Sequence, residues 1–199
     1  MSVRSEEKQK LDSFGCRGNT IKVASGHYVD IGNPDPESID LYSIAAALSR
    51  ICRFGGHCPN FYSVAEHSVN AFMLATRDGV DREVRKAILF HDAAEAYIGD
   101  MVKPLKLLLP EFKEIEQRFE QRFEAAIAVR FGLPTDCDEI IKRYDRQMLK
   151  AEKLALWPDD SFEWSGFGEV PTRDIEIACL PPNMASQLFF FSARMLGVE

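Results

Sequence analysis

Apolar positions along this chain recur mainly at helical intervals. From Ser38 to Arg50, Ile39, Ile44, Ala47 and Leu48, with Ile51 just beyond, lie near a 3.6-residue period and predict a helix. Ser63-Val64-Ala65-Glu66 reads as a capping box, so a second helix should begin there, with Val64, His67, Ala71 and Leu74 on one face and His67 pointing inward. Asp81 can cap a third, in which Val84, Ile88, His91 and Glu95 make one stripe, with His91 and Glu95 a turn apart. A loop from Gly99 through Pro110 is expected before a long helix carrying Phe112, Ile115, Phe119, Phe123 and Ile127, closed by Gly132 and Pro134. Asp136 and Glu139 resemble an acidic capping box for a helix that aligns Ile141, Asp145, Met148 and Glu152. Asn183 is expected to cap a last helix over 183–196, docking Met184, Leu188, Phe191 and Met195 on the core or on a second subunit.

The two-residue period appears only between Thr20 and Ile31, where Ile21, Val23, Tyr28, Val29 and Ile31 suggest a hairpin turning at Ser25-Gly26. Residues 1–18 are polar and expected to fray. The stretch 157–182, rich in Pro, Gly and aromatic residues, reads as a structured surface excursion with at most a short strand over Ile175 to Leu180. These elements predict an all-α helical bundle with a short N-terminal β-hairpin, one domain over 1–199 with its core at about 38–156.

Composition narrows the function. The 199 residues are 46% hydrophobic and 28% charged with net charge −7, a balance that argues against nucleic acid as the main partner. No stretch approaches the ~18 apolar residues of a membrane helix, and the charged N-terminus has no signal-peptide core. The five cysteines, Cys16, Cys52, Cys58, Cys137 and Cys179, are odd in number and read as reduced thiols of a cytoplasmic protein. Cys52, His57 and Cys58 fit no usual structural zinc spacing.

Candidate chemistry centres on His91-Asp92, which follows the apolar run Ala87-Ile88-Leu89-Phe90. An imidazole beside a carboxylate in such a stretch is costly unless something binds them, and a divalent metal is the usual partner. His67 and Asp145 fall on other inward helical faces, making two nitrogen and two oxygen donors that leave coordination positions open. Taken singly, each histidine could be a hydrogen-bonded core residue and Asp92 a helix-end acid or salt-bridge partner.

The order His67, His91-Asp92, Asp145 resembles the H, HD, D motif of the HD-domain metal-dependent phosphohydrolases. Arg53-Phe54 and Tyr62-Ser63-Val64-Ala65-Glu66-His67-Ser68 look like the family's approach to the first ligand. The run His91-Asp92-Ala93-Ala94-Glu95-Ala96-Tyr97-Ile98-Gly99-Asp100-Met101-Val102-Lys103-Pro104-Leu105-Lys106 is similar to the second motif of the bacterial HD-domain 5′-deoxynucleotidases. The likeness covers about Ile44 to Leu156, and Phe54 departs from it where those enzymes have tryptophan.

This resemblance implies one divalent ion (manganese, cobalt, iron, nickel or magnesium) held by His67, His91, Asp92 and Asp145, and hydrolysis of a nucleotide phosphomonoester, foremost that of deoxynucleoside 5′-monophosphates. It implies Glu95 as general base, with a role fixing His91 as the alternative, and Asp100 as a second acid handling a proton or a substrate hydroxyl. Arg53 would contact phosphate at the pocket mouth or be a plain surface arginine; His57 would contact phosphate or end a turn. Trp157 and Trp164 are either a stacking wall or core and dimer contacts, and Lys103 and Lys106 are expected in a solvated loop. Triphosphate or alarmone hydrolysis, a two-metal oxygenase and a noncatalytic regulatory HD module are the competing readings. A small phosphorylated substrate and a homodimer are the expected partners.

Overall fold

In the computed structural model, residues 18–162, 164, 167 and 169–199 are described; the polar leader and Cys16 lie outside them. Two short antiparallel strands, β1 (Thr20–Lys22) and β2 (Tyr28–Asp30), pair Ile21 with Val29, as the alternation predicts, and turn through Gly26 at φ 96°. The helices are α1 (Leu41–Leu48), α2 (Val64–Arg77), α3 (Arg82–Phe90), α4 (Glu95–Ile98), α5 (Lys103–Leu108), α6 (Pro110–Phe131), α7 (Asp138–Leu156) and α8 (Pro182–Met195). The expected all-α bundle with a short hairpin is therefore observed. No helix among the described residues is long and apolar enough to cross a membrane.

Helix α2 is the axis of the bundle. It buries eleven of its fourteen residues, so it is enclosed on nearly all sides instead of along one stripe. One apolar cluster joins its Val64, Ala65, Val69 and Phe72 to Ile44 and Leu48 of α1, Phe123 and Ile127 of α6, and Phe189 of α8. A second joins its Ala71, Leu74 and Ala75 to Ile88 of α3 and to Tyr144 and Met148 of α7. His67 lies between these clusters, fully buried.

The caps explain where elements begin and where expectation fails. Ser63 accepts the Glu66 N–H at 3.1 Å and starts α2 as predicted. Glu66 does not complete the capping box. Its carboxylate instead receives the N–H groups of Ala178, Cys179 and Leu180 at 2.7–3.0 Å, and so latches the end of the excursion to α2. Ile175 to Leu180 forms no strand, and its last three amides bond to this side chain and not to a neighbouring strand.

Other boundaries differ too. Helix α1 is capped by Asp40, which accepts from Ser43 N–H at 2.7 Å, and Pro36–Ser38 forms a separate 3-10 turn. Helix α3 starts at Asp81 as expected but stops at Phe90, so the stripe through His91 and Glu95 belongs to two helices. The expected loop before Pro110 contains α5, started by Val102 with Pro104 in its first turn. Cys137, not Asp136, occupies the cap of α7, without a side-chain hydrogen bond, and Pro181, not Asn183, precedes α8. On α6, Phe123 and Ile127 are buried but Phe112 and Ile115 are exposed, while Gly132 ends the helix at φ 61°. The core-facing side of α8 is Ala185, Phe189 and Ala193, leaving Met184, Leu188, Phe191 and Met195 exposed and not docked on the core.

The Glu66 latch should be measurable. Glu66→Ala leaves three amides without their acceptor and is expected to lower unfolding free energy by about 3 kcal/mol in urea titration. Glu66→Gln should lose less, and equal stability of Glu66→Ala and the parent protein would contradict the role of the latch.

Candidate metal centre

Two imidazoles, one from α2 and one from the turn after α3, meet. His67, one turn into α2, and His91, just past the end of α3, bring their Nε2 atoms to 3.2 Å. The outer nitrogen of each is occupied. His91 Nδ1 lies 2.7 Å from the Ile88 carbonyl, which can only accept, so this nitrogen carries the proton. His67 Nδ1 faces the Glu152 carboxylate at 2.5 Å. In the neutral rings both Nε2 lone pairs therefore point at each other, an arrangement that repels unless a proton or a cation lies between them.

Carboxylate oxygens complete the cluster. Asp145 Oδ1 lies 3.4 Å from His67 Nε2, and Asp92 Oδ2 lies 3.2 Å and 3.6 Å from the Nε2 atoms of His91 and His67. His67, His91 and Asp145 present donor atoms all within 4.8 Å of one another, a candidate metal-binding site. The spacing suits a small cation. Donors about 2.1 Å from one ion are separated by about 3.0 Å at octahedral right angles and about 3.4 Å at tetrahedral ones. The separations involving His67 and His91 cover 3.2–3.6 Å.

A second layer of groups fixes these donors. Glu152 of α7 is fully buried and binds three partners at once: His67, the Tyr62 hydroxyl at 2.9 Å, and the Arg53 guanidinium at 3.1 Å. Arg53 also lies 3.6 Å from Asp92 and is only 11% exposed, so it is not the plain surface arginine of one sequence reading. Glu152 and Tyr62 were not read as site residues. The available signal was a carboxylate at position 152 on the same helical line as Asp145 and Met148, where an apolar residue would ordinarily sit.

Electrostatics separates the carboxylates. Burial opposes the charge of Asp92, but His91, His67 and Arg53 outweigh it and hold Asp92 well below the usual carboxylate range. Burial likewise opposes Asp145 and Glu152, which His67, and for Glu152 also Arg53, keep ionised. Glu95 goes the other way. Burial, then the charges of Asp92 and Asp100, push it up to about 10, and its Oε2 is buried with no hydrogen-bond partner. Burial and Arg53 disfavour the charged form of His67, yet Glu152 and Asp145 raise it to about 9.

The other predicted residues divide by position. Asp100 is half-buried, raised by burial, and within the fields of Arg53 and Asp92. Helix α4, which carries Glu95, is set by Tyr97 stacking on Phe123 of α6 with ring centroids 4.4 Å apart. His57 is exposed at the end of the 3-10 turn Arg53–Gly56, donating its N–H to the Phe54 carbonyl at 3.2 Å; no described ring contact joins it to the cluster. Lys106 is not in a solvated loop: it lies on α5 and pairs with Glu116 of α6 at 2.9 Å. Trp157 and Trp164 pack edge-on against Phe54 at 5.0 Å and 5.9 Å, an aromatic group beside Arg53.

A proton on His67 and a cation compete for the same lone pairs, so affinity for manganese or cobalt should climb with pH, by roughly tenfold per unit below about 9, in calorimetric titration. The sign for stability is opposite. Because the His67 value in the fold lies above its ordinary 6.5, the charged ring's contribution is fully present below about 6.5 and is lost as pH rises through about 9. Metal affinity flat from pH 6 to 9, or unchanged by His67→Ala, would contradict this arrangement.

No family model matches the chain. Among known proteins it is similar to the uncharacterized protein YfdR of Escherichia coli (strain K12), 36% identical over 170 residues covering 85% of this chain and 90% of YfdR. An uncharacterized protein of Rhodobacter capsulatus is 35% identical over 127 residues, covering 61% of this chain and 63% of the relative. With a third of its residues identical across nine-tenths of that Escherichia coli protein, the chain belongs to the same family as YfdR.

Proposed function

We propose that the protein is a metal-dependent phosphohydrolase of the HD-domain type, acting on a nucleotide phosphomonoester, foremost that of a deoxynucleoside 5′-monophosphate. The observation that carries this reading is the facing Nε2 pair of His67 and His91 with Asp145 and Asp92 around it, next to Glu95, a half-buried acid whose Oε2 is buried without a partner, and Arg53, a cation that is only 11% exposed. Structural metal sites are closed and need neither of the last two groups.

His67, His91, Asp92 and Asp145 would hold one divalent ion, of manganese, cobalt, iron, nickel or magnesium. When bound, such an ion polarises a phosphoryl oxygen and acidifies a water. Arg53 offers its guanidinium to a phosphate while Glu152 and Asp92 fix its orientation. Glu95 holds its proton at neutral pH until positive charge reaches the cluster; once ionised, it can take a proton from the attacking water. Asp100 stands near enough to share charge with Glu95 and to return a proton to the leaving oxygen.

The substrate is a small phosphorylated molecule and not a nucleic acid, consistent with a net charge of −7. We take the protein to work in the cytoplasm, and to pair with a second copy through the exposed α8 stripe of Met184, Leu188, Phe191 and Met195.

Phosphate release from a panel of mono- and triphosphate nucleotides, with manganese, cobalt and magnesium supplied in turn, tests the activity. Release from monophosphates is expected; metal-loaded protein that releases phosphate from none of them would overturn the proposal. Asp92→Ala should lose both metal and activity. Glu95→Gln should keep the metal and lose about a hundredfold or more in kcat, and full turnover by that variant would remove Glu95 as the base.

A further inference from the structure

The turn that carries Arg53 is bracketed by two thiols. Cys52 Sγ and Cys58 Sγ lie 3.6 Å apart, in contact but not bonded, and both residues are half-buried, within reach of a small oxidant. Their anchoring differs. Cys52 sits in an extended segment paired with the residues before α2: Arg53 N–H bonds to the Tyr62 carbonyl at 2.9 Å and Val64 N–H to the Ile51 carbonyl at 3.1 Å. Cys58 lies beyond Gly55 and Gly56, which adopt φ 62° and 78°, and its sulfur meets Cys52, the Arg53 carbonyl at 3.9 Å and the backbone of Tyr62. A disulfide between them needs the sulfurs to close by ~1.6 Å, and the two glycines between them leave the backbone of the turn freer to adjust than the paired segment at Cys52.

We infer that Cys52 and Cys58 are an oxidative modification site, a thiol pair that a peroxide converts to a reversible disulfide across the Arg53 turn. The sulfur of Cys52 attacks one peroxide oxygen, the O–O bond breaks, and water departs, leaving a sulfenic acid. The Cys58 sulfur then displaces the sulfenic oxygen as a second water, forming the S–S bond. One peroxide is reduced to two waters while two thiols are oxidised, and a dithiol reverses the bond by exchange. Burial, followed by the hydrogen bond to Cys52, pushes the Cys58 thiol up, which suits the resolving and not the attacking role. Of the other described thiols, Cys137 is buried and bonds to the Pro134 carbonyl at 3.7 Å, and Cys179 lies in the segment latched by Glu66.

The closed ring would contain Arg53 and its ion pairs to Glu152 and Asp92, tying the redox state of the turn to the groups around the cluster. The inference itself concerns only the thiols and stands whether or not the chain hydrolyses nucleotides. Treating the full-length protein with hydrogen peroxide, then counting thiols with a maleimide after denaturation, is expected to show the loss of two of its five, restored by dithiothreitol. Peptide mapping of the oxidised parent protein should find Cys52 joined to Cys58. Cys52→Ser and Cys58→Ser should each prevent the loss of a thiol pair, while Cys179→Ser should not. Both thiols remaining free under peroxide, or Cys52 found joined to Cys179 instead, would overturn the inference.

Discussion

An ionised carboxylate buried without exposure is costly unless its oxygens are fully engaged, and Glu152 meets that demand with groups from three parts of the chain. Tyr62 and Arg53 come from the segments before α2, His67 from α2 itself, and Glu152 from α7. The turn, the axial helix and α7 must therefore assemble together, and in doing so they fix the orientation of the His67 ring and aim its Nε2 at His91. Removing Glu152 would leave Arg53 and His67 as buried cations short of a counter-charge, whereas removing an exposed pair such as Lys142 with Glu139 would change little.

The same assembly gives neighbouring carboxyl groups opposite characters. Asp92 touches two imidazoles and a guanidinium and stays ionised; Glu95, a few residues on, is half-buried within the fields of two other acids and keeps its proton. Groups whose surroundings drive them apart in this way are suited to different tasks, one holding charge and the other moving a proton. The break between α3 and α4 makes this separation. A continuous helix would carry His91 and Glu95 on one line, but ending α3 at Phe90 lets residues 91–94 form a separate turn, with Glu95 opening a new helix.

Much of this was legible in the sequence, and the gaps have physical causes. The helical period, the Ser63 and Asp81 caps and the alternation in 20–31 are local signals, and each appears where expected. His67, His91, Asp92 and Asp145 could be selected because a polar group on an inward face is conspicuous. Glu152 occupied the same helical line, yet its importance depends on Tyr62 and Arg53, 90 and 99 residues away in sequence, and no local pattern shows such a partner. Glu66 misled for the same reason, since its carboxylate serves Ala178 to Leu180 and not its own cap. The end of α3, the helix hidden before Pro110 and the outward apolar stripe of α8 are set by tertiary packing that overrides local preference.

The proposed chemistry depends on the two facing imidazole nitrogens forming a cation site, their rings held by Glu152 and the Ile88 carbonyl. Anomalous diffraction from crystals grown with cobalt tests it most directly. A cation site there gives one strong peak about 2.1 Å from the Nε2 atoms of both His67 and His91, with Asp92 and Asp145 oxygens at similar distances. A map with no peak there, the two rings bridged only by a proton, or a peak bound through other residues would contradict it.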